Sequence, residues 1–337
     1  PRAGFLPSME GDLRYRVSVH RNDDALGCWT VASCEPCPML QPYVATLWFG
    51  EGQVSYKRDR ILPTTDSYLL INLGLPQYLI ETGPPQRNIP FKDVWYSGLQ
   101  QRPIETEAPH GSCLLGVAFR SAGARPWLHV DADQTADRVL GLADLLGDGV
   151  HALRQALLDC RTIERRFALV EDWLLSRLQA RFEAHALVPW ALQRIADSAG
   201  QLAIVDLARE AVVSRKYLGL LFRRDVGLAP KSVARIHRFK SALTLLAGCD
   251  RVPWVELAAH CGYYDQSHLI RDFHGFSGFA PGEFVRQARP DGGSIVPLRE
   301  HGRTRHEHRC TRLDRQGRRL GGDAAVDLDV DPAAGGH

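Results

Sequence analysis

The sequence predicts an α+β protein: a β-rich N-terminal half, a helical connector and an all-α C-terminal domain with two helix-turn-helix units. Three observations point there. Between about 43 and 130, short apolar or alternating runs are divided by turn residues; from 151 to 186, apolar positions step by three and four; and a block near 207–230 recurs near 257–281. The 337 residues are 45% apolar and 24% charged, which is enough apolar material for about two domains and excludes wholesale disorder. No run of about 18 uncharged apolar residues is present, so no membrane span is expected. No charged and then apolar leader is visible either, and cytoplasmic residence is the expectation.

Residues 1–40 show no clear period and read as mostly loop. Strands are expected at Val44–Phe49, Ser67–Asn72, Gln77–Ile80 and Cys113–Phe119, which are apolar runs bounded by Gly, Pro, Asn and Asp. Asp137 to Leu146 reads as a short helix, and His151 to Ala186 as one long helix. Its stripe is Leu153, Leu157, Cys160, Ile163, Phe167, Val170, Leu174, Leu178 and Phe182. Such a stripe either packs on its own chain or forms a seam between two copies. Residues 290–337 are poor in large apolar side chains and read as a disordered tail. The expected parts are therefore 1–150, a 151–188 connector, a 189–289 helical domain and that tail.

The 8 cysteines suit reduced thiols. Cys34-Glu-Pro-Cys37 has CxxC spacing with Cys28 nearby, but no fourth ligand stands at useful spacing for zinc. The β-type region from about 43 to 130 offers only His110 and His129, without an HxH pair. There is no GxSxG, Walker loop or HExxH. No catalytic residue, cofactor or metal is expected.

The repeat carries the functional reading. Leu207-Ala-Arg-Glu-Ala211 matches Leu257-Ala-Ala-His-Cys261 at an offset of 50, whereas Ser214, Leu218, Phe222, Gly227 and Ala229-Pro230 match Asp265, Leu269, Phe273, Gly278 and Ala280-Pro281 at 51. The extra residue falls where a turn is expected, and insertions cost least there. Ser214 and Asp265 are good N-caps. The units span 205–226 and 255–277, and Pro230 opens a helix between them. Polar positions lie between the inward-facing Leu and Phe of each second helix: Arg215, Lys216, Arg223 and Arg224 in one, Gln266, Ser267, His268 and Arg271 in the other. Arg and Gln on such a helix can read guanine and adenine in a major groove. Residues 195–289 also hold 13 Lys/Arg against 9 Asp/Glu, the sign a phosphate backbone attracts.

Residues about 190–288 resemble the DNA-binding domain of AraC/XylS-type transcriptional regulators. The resemblance rests on Leu218–Pro230, Arg238–Leu246 and, most specifically, Gly262-Tyr-Tyr-Asp-Gln-Ser-His268 followed by Arg271-Asp-Phe273 and Ser277–Pro281. It implies seven helices, with base contacts at Arg215, Lys216 and Gly219 and at Gln266, Ser267, Ile270 and Arg271. Gly219 has no side chain to read a base, and Leu220 stands where some members place Arg, so weak reading by the first unit is expected. Ile270 offers apolar contact only. Arg223, Arg224, Arg235 and Lys240 read as phosphate or surface charges.

The N-terminal half resembles the cupin-like sensor domains attached to this family. That likeness implies a small-molecule effector, with Trp48, Tyr68, Trp95 and Tyr96 as pocket candidates or simply as core. The resemblance further implies double-stranded DNA as partner, with dimerisation and contact to RNA polymerase as additional expectations. The alternative is a DNA-binding domain fused to an alkyl-transfer repair or cupin-type enzyme.

Overall fold

The computed structural model describes residues 16–81, 83–178, 185–246, 252, 254–287 and 294–298. Its strands are β1 (Val17–Asp24), β2 (Gly27–Cys34), β3 (Val44–Val54), β4 (Arg58–Ile61), β5 (Ser67–Asn72), β6 (Gln77–Glu81), β7 (Arg87–Phe91), β8 (Val94–Ser97), β9 (Ile104–Glu107), β10 (Ser112–Phe119), β11 (Val139–Gly141) and β12 (Ile295–Leu298). Seven form one sheet in the order β1-β2-β3-β10-β5-β8-β11; five form another in the order β12-β4-β9-β6-β7. The four expected strands lie within β3, β5, β6 and β10.

Alternation divides the large sheet into two faces. Leu47, Phe49, Leu69, Ile71, Val94, Tyr96, Leu115 and Val117 form one face, in a core shared with helices α1 (Arg125–Leu128), α2 (Ala143–Leu146), α3 (Gly149–Leu158) and α4 (Ile163–Arg177). The Trp127 indole N–H donates to the Leu174 carbonyl across that core, 2.8 Å. The opposite face carries Trp48, Tyr68, Leu70 and Trp95, all half-buried. Trp95 meets Phe91 of the smaller sheet at a ring separation of 4.8 Å. Trp48 lies flat on Gly116, where any Cβ would run into the indole.

Several expectations are corrected. Residues 17–34 form a hairpin rather than loop; β1 is an edge strand with mostly exposed side chains, so no apolar alternation marks it. Asp137–Leu146 is a strand followed by one helical turn. The long helix breaks between Leu158 and Ile163, and Thr162 caps the second piece by accepting from the Arg165 N–H, 3.2 Å. Its stripe is not a seam between copies: Leu153, Leu157, Phe167, Val170 and Leu174 are buried against the chain's own sheet. Phe182 lies outside the described residues. Tyr96 is core, on the face opposite Trp48, and burial pushes its phenol up to about 12.

The tail is corrected in part. Residues 295–298 pair antiparallel with β4, and Val296 is fully buried. Residues 299–337 lie outside the described residues. Among the described cysteines, Cys34, Cys37, Cys113, Cys160 and Cys261 are free, whereas Cys28 is disulfide-bonded, against the expectation of reduced thiols throughout. No helix of the described residues is long and apolar enough to cross a membrane.

Seven helices complete the fold: α5 (Leu187–Asp197), α6 (Ile204–Glu210), α7 (Arg215–Val226), α8 (Pro230–Leu246), α9 (Trp254–His260), α10 (Gln266–Ser277) and α11 (Pro281–Gln287). Leu207, Leu218, Phe222, Ile236, Phe239, Leu257, Leu269 and Phe273 share one core there. Leu62, Leu99 and Val296 from the β-rich part enter the same core. The two halves are thus joined by apolar packing as well as by chain.

Candidate nucleic-acid interface

The two units are built on one plan. In the first, α6 leads through a turn to α7; in the second, α9 leads to α10. The turns make the same backbone bond: the Val213 N–H donates to Ala208 O at 3.0 Å, and the Tyr263 N–H to Ala258 O at 2.9 Å. Each turn has one left-handed residue, Val212 at φ 54° and Gly262 at φ 71°. Glycine adopts that conformation freely, whereas a β-branched residue is strained in it. Since Val213 matches Tyr263 and Ser214 matches Asp265, the residue added to the second unit is Tyr264. It is 94% exposed, immediately ahead of the helix cap.

Both caps form. The Ser214 hydroxyl accepts from the Tyr217 N–H at 3.1 Å, and the Asp265 carboxylate from the His268 N–H at 2.7 Å. Each second helix ends on a left-handed glycine, Gly227 or Gly278. Inward residues Leu218, Leu221 and Phe222, and Leu269, Phe273 and Phe276, anchor the helices.

The proposed reading residues fall into two groups. Arg215, Lys216, Arg223, Ser267, Ile270 and Arg271 are exposed, and Gln266 is half-buried. Gly219 faces open space, with nothing within 4 Å of where a Cβ would stand. Tyr217 and Leu220 share that exposed surface; Leu220 is among the positions the sequence singles out, and Tyr217 is not. Three others are engaged internally. Arg224 grips Asp225 with two hydrogen bonds, 2.8 and 3.0 Å. The His268 ring stacks edge-on against Tyr263, with centroids 5.2 Å apart. Arg235 is not a free surface cation: its guanidinium binds Asp272 at 2.7 Å and lies over the Phe276 ring, tying α8 to α10. Both Arg224 and Arg235 are held more firmly protonated by those carboxylates. Arg238 has a similar positioning role, donating to the Gly262 carbonyl at 3.2 Å and covering Tyr263.

Burial pushes the Cys34 thiol up to about 12 and raises Cys37 too, so neither is poised as a thiolate nucleophile. Among the described residues no group of three or more His, Cys, Asp or Glu side chains is gathered for a metal.

Paired, capped helices with basic and polar exposed ends on one shared core define a double helix-turn-helix DNA-binding domain. Residues 207–287 match the family model described as a helix-turn-helix domain, and residues 32–141 match one described as a domain of unknown function (DUF6597). Residues 207–287 are accordingly a helix-turn-helix domain, behind a β-rich N-terminal part.

No curated protein matches. Among solved structures, ToxT from Vibrio cholerae is similar at 9% identity and a TM-score of 0.40, covering 71% of this chain and 98% of that one. The C-terminal domain of AraT, a response regulator from Geobacillus stearothermophilus, is similar at 23% identity and a TM-score of 0.30, over 38% of this chain and all of that one. The AraC-like transcriptional activator CuxR is similar at 16% identity and a TM-score of 0.26, over 70% and 89% of the two chains.

Proposed function

We propose that this protein is a sequence-specific DNA-binding transcription regulator, with residues 189–289 reading DNA and residues 1–150 receiving a small-molecule signal. One observation carries the reading: two equivalent, capped second helices present their N-terminal ends, Arg215-Lys216 and Gln266-Ser267 with Arg271, to solvent. Those ends are the part of a recognition helix that meets base edges. Arg271 and Gln266 are the strongest candidates for base readout; Ile270 suits a thymine methyl; Arg223 suits phosphate. In the first unit Tyr217 and Leu220 flank the bare Gly219, so its readout is mainly apolar.

For the signal, an open pocket of about 640 Å³ lies beside β6, β7 and β9, lined on its apolar side by Leu79, Ile89, Ile104 and Leu140. Its size suits a small organic effector. Thermal-shift screening of the whole chain, with Ile104→Trp as a filled-cavity control, checks this; ligands that stabilise both proteins equally would place the effector elsewhere.

DNA selection from a random pool tests the central claim, using the whole chain and an Arg271→Ala control. One enriched motif spanning about two helical turns, relaxed in the control, is the expected result. No enrichment at low salt, with or without stabilising ligands, would overturn it.

A further inference from the structure

The repeat relation extends to how the N-terminal domain touches the two units. Gly227 and Gly278 occupy the same repeat position, the left-handed residue closing each second helix. The β-rich domain approaches both. At Gly227 a Cβ would stand 2.7 Å from the Ala132 carbonyl oxygen; at Gly278 it would stand 2.7 Å from Nη1 of Arg60. Each approach has an arginine beside it. Arg125 ion-pairs with the buried Asp225 of α7 and with Asp131, the latter at 2.9 Å. Arg60 donates to the Ser277 carbonyl at 3.3 Å, covers the Phe279 ring at 4.4 Å and is held by Glu105 at 2.7 Å. Beside it, β12 pairs with β4, with Val296 opposite Arg60.

We propose that the β-rich domain is a two-point brace: it grips both second helices at their C-terminal ends and thereby fixes the orientation of one relative to the other. This rests on the DNA-binding reading above. The N-terminal ends, where Arg215, Lys216, Ser267 and Arg271 are exposed, remain open. A domain that silenced DNA binding by covering it would sit on those ends instead. The brace adds to α8, which joins the two units through the helical core, and it gives the N-terminal domain direct leverage on helix geometry.

The test uses the whole chain and the motif recovered by selection, with one to three base pairs added or removed between its two blocks. The wild-type protein is expected to lose about tenfold in affinity or more per altered spacing, because one base pair rotates a groove by about a tenth of a turn. The Arg60→Met, Arg125→Met double variant keeps apolar stems but loses both grips. It is expected to bind the original motif within about threefold of wild type and to lose under threefold on altered spacing. The same spacing penalty in the variant would overturn the brace. So would a large affinity gain on every spacing, which is the signature of a cover. If the wild type selects no DNA, the reading beneath fails and the brace with it. Should the double variant melt below assay temperature, Arg60→Lys replaces it: it keeps the charge but loses the fork that reaches Ser277 and the stacking on Phe279. The same expected and overturning spacing results then apply.

Discussion

The two helix-turn-helix units share a plan and differ in which part of it is strained and which part is equipped. The second has the permissive Gly262 in its turn, a carboxylate cap, and a helix carrying Gln266, Ser267 and Arg271 outward. It is also fastened from within by Arg235 to Asp272. The first has Val212 in the left-handed turn, a hydroxyl cap, and a helix whose exposed middle is Gly219-Leu220. Duplicated geometry therefore does not imply duplicated reading. On the proposed reading, the second unit suits hydrogen-bonded readout and the first suits charge and apolar contact, a difference that comes from matched positions.

The largest expected effect concerns α8, which both units share. Burial, with Lys240 adding to it, pushes the His237 imidazole down to about 4. Below its ordinary value of 6.5, the unfolded chain takes up a proton that the folded chain refuses. Stability is thus full above about 6.5 and falls as pH drops toward 4, by up to about 3 kcal/mol. Denaturant titrations at pH 7 and pH 4.5 check it: the His237→Asn variant should lack this part of the decline, and an identical decline would refute the assignment.

Next is the fastening. Asp272→Ala leaves Arg235 without its partner and should cost about 2 kcal/mol, below the range for fully buried pairs because the arginine side chain is 36% exposed. Glu210→Ala, which opens the exposed Arg194 pair beside the first unit, should cost under about 0.5 kcal/mol. Equal costs in chemical denaturation would erase this part of the contrast.

Turn strain comes third. Val212 is 91% exposed at φ 54°, so Val212→Gly should stabilise by about 1 kcal/mol, strain relief outweighing the added freedom of the unfolded chain. Gly262→Val should destabilise, since a Cβ there would stand 2.7 Å from Cγ of Gln201 as well. Melting temperatures moving in the same direction for both would contradict the matched-turn argument. The smallest gain in stability is at Gly219: alanine there meets nothing and should raise helix stability by about 0.5–1 kcal/mol, read as a small rise in Tm. A loss instead would mean that Gly219 is closer to a neighbour than the open surface implies.

Much of this was legible in the sequence because it is local. N-caps, the three-and-four spacing and the inserted turn residue act within a few positions, so Ser214, Asp265 and the repeat could be read directly. The four apolar strands were legible for the same reason. What escaped depends on distant partners. β1 has largely polar side chains because an edge strand need bury only one side. β12 contains Pro297, which is tolerated only because the strand lies at an edge, and nothing in residues 290–298 announces β4 as its neighbour. Arg235 and Arg224 looked like free charges until folding brought Asp272 beside one and oriented Asp225 toward the other. The break at Leu158–Ile163 kept the apolar spacing and so left no trace in periodicity.

The pairing of β12 with β4 also has a consequence in time. More than two hundred residues separate the two strands, and the entire helical domain is made between them. At a synthesis rate of about 5–20 residues per second, β4 waits roughly 10–50 s on the ribosome before its neighbour exists. Throughout that interval the smaller sheet has a bare edge, available to any passing strand. The N-terminal domain is begun first and finished last, and a chain cut at residue 289 would never finish it.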